Sequence, residues 1–261
     1  MKILVTFKVI PDLDQMSAGD YCADERMMVD TSFVRTILNC FDESGLEFGL
    51  RLSDEAESLN LVVETTALTV AEKQAELYLK TLAALKYSHT VCVNAEGRDL
   101  RFEPESVAES VYRYCKEHPQ DYIIMGNQAA PGNNGLTPKI LAEKLGVLLL
   151  ENVIDLHVKE DGELEVTTEE EDGVYVQEIS APAILSIGNA VISKLRVPTL
   201  KARMASKEKE SEFLKMPEQS ERRKKTLVSL KYVNRERAGE ILEGDEGLRI
   251  FAEKYEKNKR E

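Results

Sequence analysis

Short apolar runs alternate with longer amphipathic stretches over the first part of the chain. Buried strands are predicted at Lys2–Val9, Leu61–Val63, Val91–Val93 and Tyr122–Met125. Helices are predicted at Thr31–Leu52, Val70–Leu85, Pro104–Lys116 and Pro138–Leu145. Alternating strands and helices favour right-handed crossovers between parallel strands. The pattern therefore predicts an α/β fold with a mostly parallel sheet and helices on both faces.

The pattern changes after Gly146, where apolar runs become closely spaced. Short strands are predicted at Glu151–Lys159, Glu163–Thr168 and Val174–Ile179, with the dipeptides Asp161-Gly162 and Asp172-Gly173 as turns between them. This spacing predicts an antiparallel β-hairpin insertion. The run from Pro182 to Ile187 is then expected to return to the parallel sheet as its last central strand.

The C-terminal part has a different composition. Lys207–Lys225 is polar with mixed charge, which predicts an extended arm. Asp245–Lys257 predicts a helix with an apolar stripe formed by Leu248, Phe251, Ala252 and Tyr255. We therefore expect an α/β domain over residues 1–205, followed over residues 206–261 by an arm and a helix that dock on a partner.

Composition and charge narrow the classes of function. The 261 residues are 43% hydrophobic and 31% charged, which is enough for a globular core. A net charge of −13 disfavours nucleic acid as a partner. The chain contains no apolar run of the roughly 18 residues that a membrane span requires, and its start does not resemble a signal peptide, so we predict a cytoplasmic protein without membrane insertion.

The cysteines and histidines do not predict a metal site. The four cysteines have no CxxC spacing, and there are only three histidines. We expect buried, reduced thiols. The sequence also lacks a Ser/His/Asp or Cys/His arrangement, so no catalytic residue is predicted in this chain.

The segment MGNQAAPGNNGLTP combines the end of a predicted strand with the start of a predicted helix. Gly126, Gly132 and Gly135 allow the backbone to approach a ligand closely. Thr137 followed by Pro138 predicts a helix cap with free amide groups, the arrangement that binds phosphate. The spacing matches neither a Walker loop nor a dinucleotide fingerprint, so an ordinary glycine-rich connection remains an alternative.

Polar segments at other predicted strand ends are expected to converge on this loop. They are Lys8–Asp12 after the first strand, Asn39–Asp42 before or within the long segment that follows it, and Thr65–Ala67 at the end of the second strand. In open α/β sheets, ligands bind at the carboxyl ends of the strands. These segments could hold an adenine and a ribose through backbone contacts.

Five segments, taken in order, resemble the β subunit of electron transfer flavoproteins. They are the first strand with KVIPD, NCFDESGLEFGLRL, the YIIMGNQA…G…AEKLG block, the hairpin, and APAILSI…SKLRVPTLKARMASKEKE. The resemblance covers roughly residues 1–209. It implies an adenine-nucleotide-binding type of fold and a heterodimer with an α subunit that supplies most of the site for the redox FAD.

The resemblance also implies a function. Such a heterodimer shuttles electrons between flavoprotein dehydrogenases, such as an acyl-CoA dehydrogenase, and downstream acceptors. The β subunit of the simple carriers binds AMP, whereas in electron-bifurcating members a second FAD takes the same site. This resemblance assigns cofactor contacts to Thr6, Phe7, Lys8, Asn39, Thr66, Ala67, Gly126, Gln128, Gly132, Asn133, Asn134, Gly135, Leu136 and Thr137.

Two further assignments follow from the same alignment. Arg196 corresponds to an arginine close to the flavin-bearing interface. The segment that engages dehydrogenase partners falls at residues 187–197, where Ala190, Val191 and Ile192 are predicted to form a helical apolar anchor.

Departures from the family pattern leave alternatives open. The family commonly reads GRQAIDGDTAQVGP where this chain reads GNQAAPGNNGLTPK, so Asn127 replaces a basic residue and Leu136 replaces a glutamine. The nucleotide could be AMP, FAD or absent. The rival interpretations are a partner-binding scaffold that has lost its nucleotide and a nucleotide-dependent enzyme of the same fold.

Overall fold

The computed structural model describes residues 1–218, 227–231, 233, 239 and 241–258. The chain divides into two compact units, one formed by residues 1–15 and 31–225 and the other by residues 16–30 and 226–261. The first unit contains the large sheet and the candidate site. The domain boundary expected after residue 205 stays a prediction.

The first unit contains the following elements. Its strands are β1 Lys2–Thr6, β2 Val9–Pro11, β3 Thr36–Leu38, β4 Glu64–Ala71, β5 His89–Asn94, β6 Tyr122–Gly126, β7 Leu148–Val158, β8 Leu164–Glu170, β9 Gly173–Ile179, β10 Ala183–Ile187 and β11 Glu212–Lys215. Its α-helices are α1 Cys40–Ser58, α2 Glu76–Ala84, α3 Pro104–Glu117, α4 Thr137–Leu145 and α5 Leu200–Ala205.

The large sheet confirms the predicted α/β fold. Within the described residues it has nine strands in the order β11-β5-β4-β1-β6-β10-β7-β8-β9. Neighbours from β11 to β7 are parallel, whereas β7, β8 and β9 pair antiparallel as the predicted hairpin insertion. The strand β10 lies between β6 and β7, which confirms that the chain returns to the sheet there.

Burial on both sides explains why the central strands are continuously apolar. In β1, the side chains of Ile3 and Val5 pack with α1 and α2 on one face, while Leu4 packs with α3 and α4 on the other. All three residues are fully buried. The prediction of helices on both faces is thus confirmed.

Several predicted boundaries near the first two strands are wrong. The helix predicted from Thr31 begins only at Cys40, because the preceding residues form β3, which pairs with β2 in a separate ribbon. The first predicted strand divides into β1 and β2. Leu61–Val63 lies outside the sheet, since the Leu61 N–H caps α1 at the Ala56 carbonyl and Val62 is 86% exposed.

The second strand of the sheet is therefore β4, which starts at Glu64 opposite Lys2. Thr65–Ala67 lies within this strand and not at its end, and Val70 belongs to the strand instead of the next helix, which begins at Glu76. The predicted arm is also partly wrong, because residues 212–215 form β11 against β5 at the sheet edge. Residues 219–225 of that arm lie outside the described residues.

The second unit contains the helix α6, Gly244–Asn258, which confirms the predicted C-terminal helix. Its stripe is exposed, with relative exposures of 69% for Leu248, 61% for Phe251 and 59% for Tyr255. In the described part of the chain, no helix is both long and apolar enough to cross a membrane.

The four cysteines have unpaired thiols, but only two of them are buried. Cys92 and Cys115 lie in the core, as expected, whereas Cys22 and Cys40 are exposed. The expectation of buried thiols is wrong for these two residues, because Cys22 lies in an irregular surface segment and Cys40 is the first residue of α1.

Candidate functional site

A pocket lies at the carboxyl ends of the central strands. Its described lining comes from β1, β4, β6, α1, α3 and α4 and from the loops between them. The chain runs from β1 outward through β4 and β5, then crosses to β6 on the other side of β1. Ligands bind in open α/β folds at this kind of reversal of strand order. The enclosed volume is about 150 Å³, and the pocket opens to solvent.

Most of the residues assigned by the sequence meet in this pocket. The following ten contribute to its lining: Thr6, Phe7, Lys8, Gly126, Gln128, Asn133, Asn134, Gly135, Leu136 and Thr137. Asn39 and Gly132 lie next to it and hold the loops that form its wall. Thr66 and Ala67 are buried inside β4, away from its carboxyl end, because the strand begins later than predicted.

Asp42 is the central buried group of the site. Its side chain points from the first turn of α1 and accepts hydrogen bonds from the backbone N–H groups of Lys8 and Gly126, each at 2.9 Å. The Asn39 side chain is a further hydrogen-bond partner. Burial raises the pKa of Asp42 to about 7, although these three donors oppose that shift. Asp42 thus joins the ends of β1 and β6.

The glycine at position 126 is explained by this carboxyl group. A Cβ atom at Gly126 would collide with Asp42 Oδ1, closer than Cβ atoms approach other atoms in proteins. Only a residue without a side chain lets the strand end receive the carboxyl group at hydrogen-bonding distance. The sequence predicted a close backbone approach here, and the group that approaches belongs to the protein itself.

Lys8 and Asn39 attach the glycine-rich loop to the first strand. Lys8 Nζ donates to the Pro131 carbonyl at 2.9 Å, and Asn39 Nδ2 donates to the Gln128 carbonyl at 2.9 Å. Burial lowers the pKa of Lys8, and the nearby Asp42 opposes this shift. The sequence assigned Lys8 a backbone contact, whereas the structure also brings its side chain into the pocket wall.

A second loop, residues 95–103 between β5 and α3, forms the facing wall. The main-chain oxygen of Arg101 lies where a Cβ atom of Gly132 would be, and Gly132 has φ +103°. The two loops are therefore in close contact, which requires glycine at position 132. Arg101 itself contributes to the pocket lining. Asp42 belongs to the segment Asn39–Asp42, which the sequence predicted to converge on this loop, but Arg101 was given no role, because only the fold brings its segment to the glycine-rich loop.

The start of α4 completes the site. Asn134 Oδ1 accepts the Leu136 N–H at 3.0 Å and shapes the turn into the helix. The cap residue is Leu136, whose side chain has no hydrogen-bonding atom, and Thr137 is the first helical residue. The prediction of a threonine cap is therefore wrong. Leu136, Thr137 and Pro138 line the pocket, so the helix begins at the pocket wall, and the N-terminal end of a helix is the end that attracts anions.

The segment of residues 188–199 is irregular, so the predicted helical anchor is wrong. The Val191 N–H donates to the Ile154 carbonyl, which attaches the segment to β7, and the Ala190 N–H donates to the Gly188 carbonyl in a tight turn. Ala190 and Ile192 pack partly against the core, whereas Val191 is 64% exposed. Exposed apolar side chains continue beyond this trio at Val197, Leu200 and Met204.

Arg196 lies outside the described lining of the pocket and is held on α1. Its Nε donates to Glu47 at 2.7 Å and its Nη1 donates to Asp54 at 2.6 Å. Glu47 and Asp54 raise the pKa of Arg196. The side chain is 41% exposed. Arg196 thus presents a positive charge at the surface, separate from the pocket.

Comparison with known proteins decides the family. Residues 27–218 match the family model described as "Electron transfer flavoprotein domain". The chain belongs to the electron transfer flavoprotein family. The match spans most of the large sheet and the whole glycine-rich loop. Within the residues described by the structure, no group of three or more His, Cys, Asp or Glu side chains is arranged to hold a metal ion.

Individual relatives indicate the type of subunit. The chain is 29% identical over 210 residues, or 79% of its length and 78% of the relative, to the Escherichia coli (strain K12) protein named "Putative electron transfer flavoprotein subunit YgcR". It is 26% identical over 235 residues, or 85% and 88% of the two chains, to the electron transfer flavoprotein subunit beta of Bacillus subtilis (strain 168). The protein is a divergent member of the beta type.

Proposed function

We propose that this chain is the β subunit of a heterodimeric electron transfer flavoprotein and binds an adenine nucleotide in the pocket. The nucleotide is AMP or the AMP half of a second FAD. The heterodimer carries electrons from a flavoprotein dehydrogenase, such as an acyl-CoA dehydrogenase, to an acceptor. The cytoplasmic location predicted from the sequence is part of this proposal.

The observation that carries the nucleotide proposal is the construction of the pocket. The pocket combines a glycine-rich loop, a helix start and two cationic residues, Lys8 and Arg101, at the reversal of strand order. Backbone N–H groups and cations are the groups that bind phosphate. The loop also keeps its shape through specific contacts, since Lys8 and Asn39 both hold its carbonyl groups. These features fit a nucleotide better than they fit a degenerate scaffold.

The redox chemistry in such a protein comes from bound flavin, which exchanges electrons with its donor and acceptor. The residues of this chain would bind and orient the nucleotide and set the local charge. We propose that Arg196 faces the flavin of the partner subunit. Its fixed position at the surface, paired with Glu47 and Asp54, supports this proposal. A guanidinium stabilises an anionic flavin ring, here in competition with the two carboxylates that already pair with Arg196.

Two exposed apolar regions support the proposed protein partners. Val191, Val197, Leu200 and Met204 are all more than 60% exposed, and we assign this group to the encounter with a dehydrogenase. The stripe of α6 is similarly exposed, and we assign it to docking on the α subunit. Helices that bind in grooves use this spacing of apolar residues.

Co-purification tests the carrier function. The chain is expressed together with the α-subunit gene of its own genome, and the complex is isolated by a tag on this chain only. We expect a yellow heterodimer that a reduced flavoprotein dehydrogenase bleaches as the flavin accepts electrons. A colourless complex, or a yellow complex that no flavoprotein donor reduces, would contradict the proposal. Substituting Leu200→Ser should slow reduction by the dehydrogenase and leave reduction by dithionite unchanged.

A further inference from the structure

Arg101 is one of two cationic residues that line the pocket among the residues that the structure describes. Of the described residues that line the pocket, Lys8, Asp42 and Arg101 are the charged ones. Lys8 holds the Pro131 carbonyl, and Asp42 holds two backbone N–H groups. Arg101 lies on a loop, yet its side chain is only 15% exposed.

The position of Arg101 is fixed by both of its neighbours in space. Its main-chain oxygen lies 2.1 Å from the position that a Cβ atom of Gly132 would take, so the backbones of the two loops are in close contact. Its guanidinium lies 5.6 Å from the centre of the Phe102 ring, within the range of a cation–π contact. Arg101 thus lines the pocket with its main chain against the loop that we assign to the phosphate.

The Asp99 carboxylate pairs with the guanidinium of Arg101 in the same way as an anionic ligand. Arg101 Nε donates to Asp99 Oδ1 and Arg101 Nη2 donates to Asp99 Oδ2, both at 2.9 Å. This bidentate pairing is the geometry in which arginine binds a phosphate group. The Asp99 side chain is 54% exposed, so water screens its charge. Asp99 Oδ1 also accepts the Arg101 backbone N–H at 3.1 Å, a bond that an asparagine at position 99 can keep.

We propose that Arg101 binds the phosphate group of the nucleotide and that Asp99 is an internal competitor for the same guanidinium. When nucleotide enters, its phosphate replaces the Asp99 carboxylate on Arg101, and Asp99 turns to solvent. Asp99 thereby lowers the affinity of the pocket for anions. The inference rests on the proposed function, because it names residues for the phosphate of that same nucleotide.

Binding of two probes separates the phosphate from the rest of the nucleotide. Nucleotide-free protein, in its full-length form and with its partner subunit, is titrated with AMP and with adenosine. Arg101→Gln should weaken AMP binding about tenfold to a hundredfold and leave adenosine binding unchanged. Asp99→Asn should strengthen AMP binding about threefold or more, again without an effect on adenosine.

Arg98→Gln is the matched control, because it removes the same charge from the same loop at a residue outside the described lining of the pocket. It should change AMP binding less than about twofold. Equal effects of the two arginine substitutions on AMP, or an equal loss of AMP and adenosine binding in Arg101→Gln, would overturn the assignment. Weaker AMP binding in Asp99→Asn would show that Asp99 supports the loop and does not compete.

The proposed function and this inference fail in distinguishable ways. If the wild-type protein binds neither AMP nor adenosine, the nucleotide proposal itself is wrong. If it binds AMP and the Arg101 variant binds equally well, only the role of Arg101 is wrong. Should Arg101→Gln not fold by circular dichroism, Asp99→Asn decides the competition by itself.

Discussion

The substitution Asp42→Asn tests quantitatively whether burial controls the protonation of the Asp42 carboxyl group. Burial raises its pKa from 3.8 to about 7 in the folded protein. Between these two values the folded chain keeps a proton that the unfolded chain releases. The free energy of unfolding must therefore fall as the pH rises through this window, and the contribution of Asp42 becomes constant above pH 7.

The size of the effect follows from the shift. A difference of about three pKa units corresponds to about 4 kcal/mol, since one unit is about 1.4 kcal/mol. The asparagine side chain of the variant has no proton to release, so this part of the pH dependence should be absent from it. The difference in unfolding free energy between wild type and variant should therefore change by about 4 kcal/mol in favour of the variant from about pH 4 to pH 7.5.

Urea denaturation followed by far-ultraviolet circular dichroism, in steps across this pH range, measures the effect. Asp54→Asn is a matched control, because Asp54 is an exposed carboxylate on the same helix. It should leave most of the wild-type slope in place. If wild type and Asp42→Asn have parallel pH profiles, then Asp42 is ionised throughout, and the hydrogen bonds from Lys8, Gly126 and Asn39 outweigh its burial.

Two further substitutions test the pocket wall and the C-terminal helix. Gly132→Ala places a Cβ atom on the Arg101 carbonyl and should weaken AMP binding about tenfold or more, measured by equilibrium dialysis. Gly97→Ala also has positive φ but open space around it, so an equal loss in both variants would refute the collision. Leu248→Ser with Phe251→Ser should weaken the heterodimer in analytical ultracentrifugation, because both side chains are exposed on the α6 stripe. The exposed control Arg249→Ser should not weaken it, and unchanged affinity in the double variant would remove α6 from the interface.

The sequence predicted the fold where local patterns carry the information. The strands β5 and β6 are short apolar runs between helices with clear periodicity, β10 is an apolar run after the hairpin, and the positions of all three were confirmed. The strand β11 was missed because EFLK lies at the sheet edge, where polar side chains replace the apolar pattern. The apolar run Leu61–Val63 was misleading, because these residues lead out of α1 and Val62 is exposed.

The residues of the candidate site were likewise predicted only where a local sequence signal marks them. The glycine-rich loop was predicted because glycines between a strand and a helix are a local signal, and the structure brings this loop to the strand ends. The segment Asn39–Asp42 was expected near the loop, but the burial of the Asp42 carboxyl group was not predicted, because aspartate is rarely buried and its neighbours Glu43 and Ser44 are polar. Arg101 comes from a segment far from the loop in the sequence, and its local surroundings do not mark it as a pocket residue.

The nucleotide content of the purified heterodimer tests the central claim most directly. The complex is denatured without dialysis, and the released AMP and FAD are separated by chromatography and quantified per heterodimer. We predict one adenine nucleotide besides the redox FAD, as AMP in a simple carrier or as a second FAD in a bifurcating one. One FAD with no second nucleotide would contradict the claim, because the pocket between β1 and β6 would then hold no ligand.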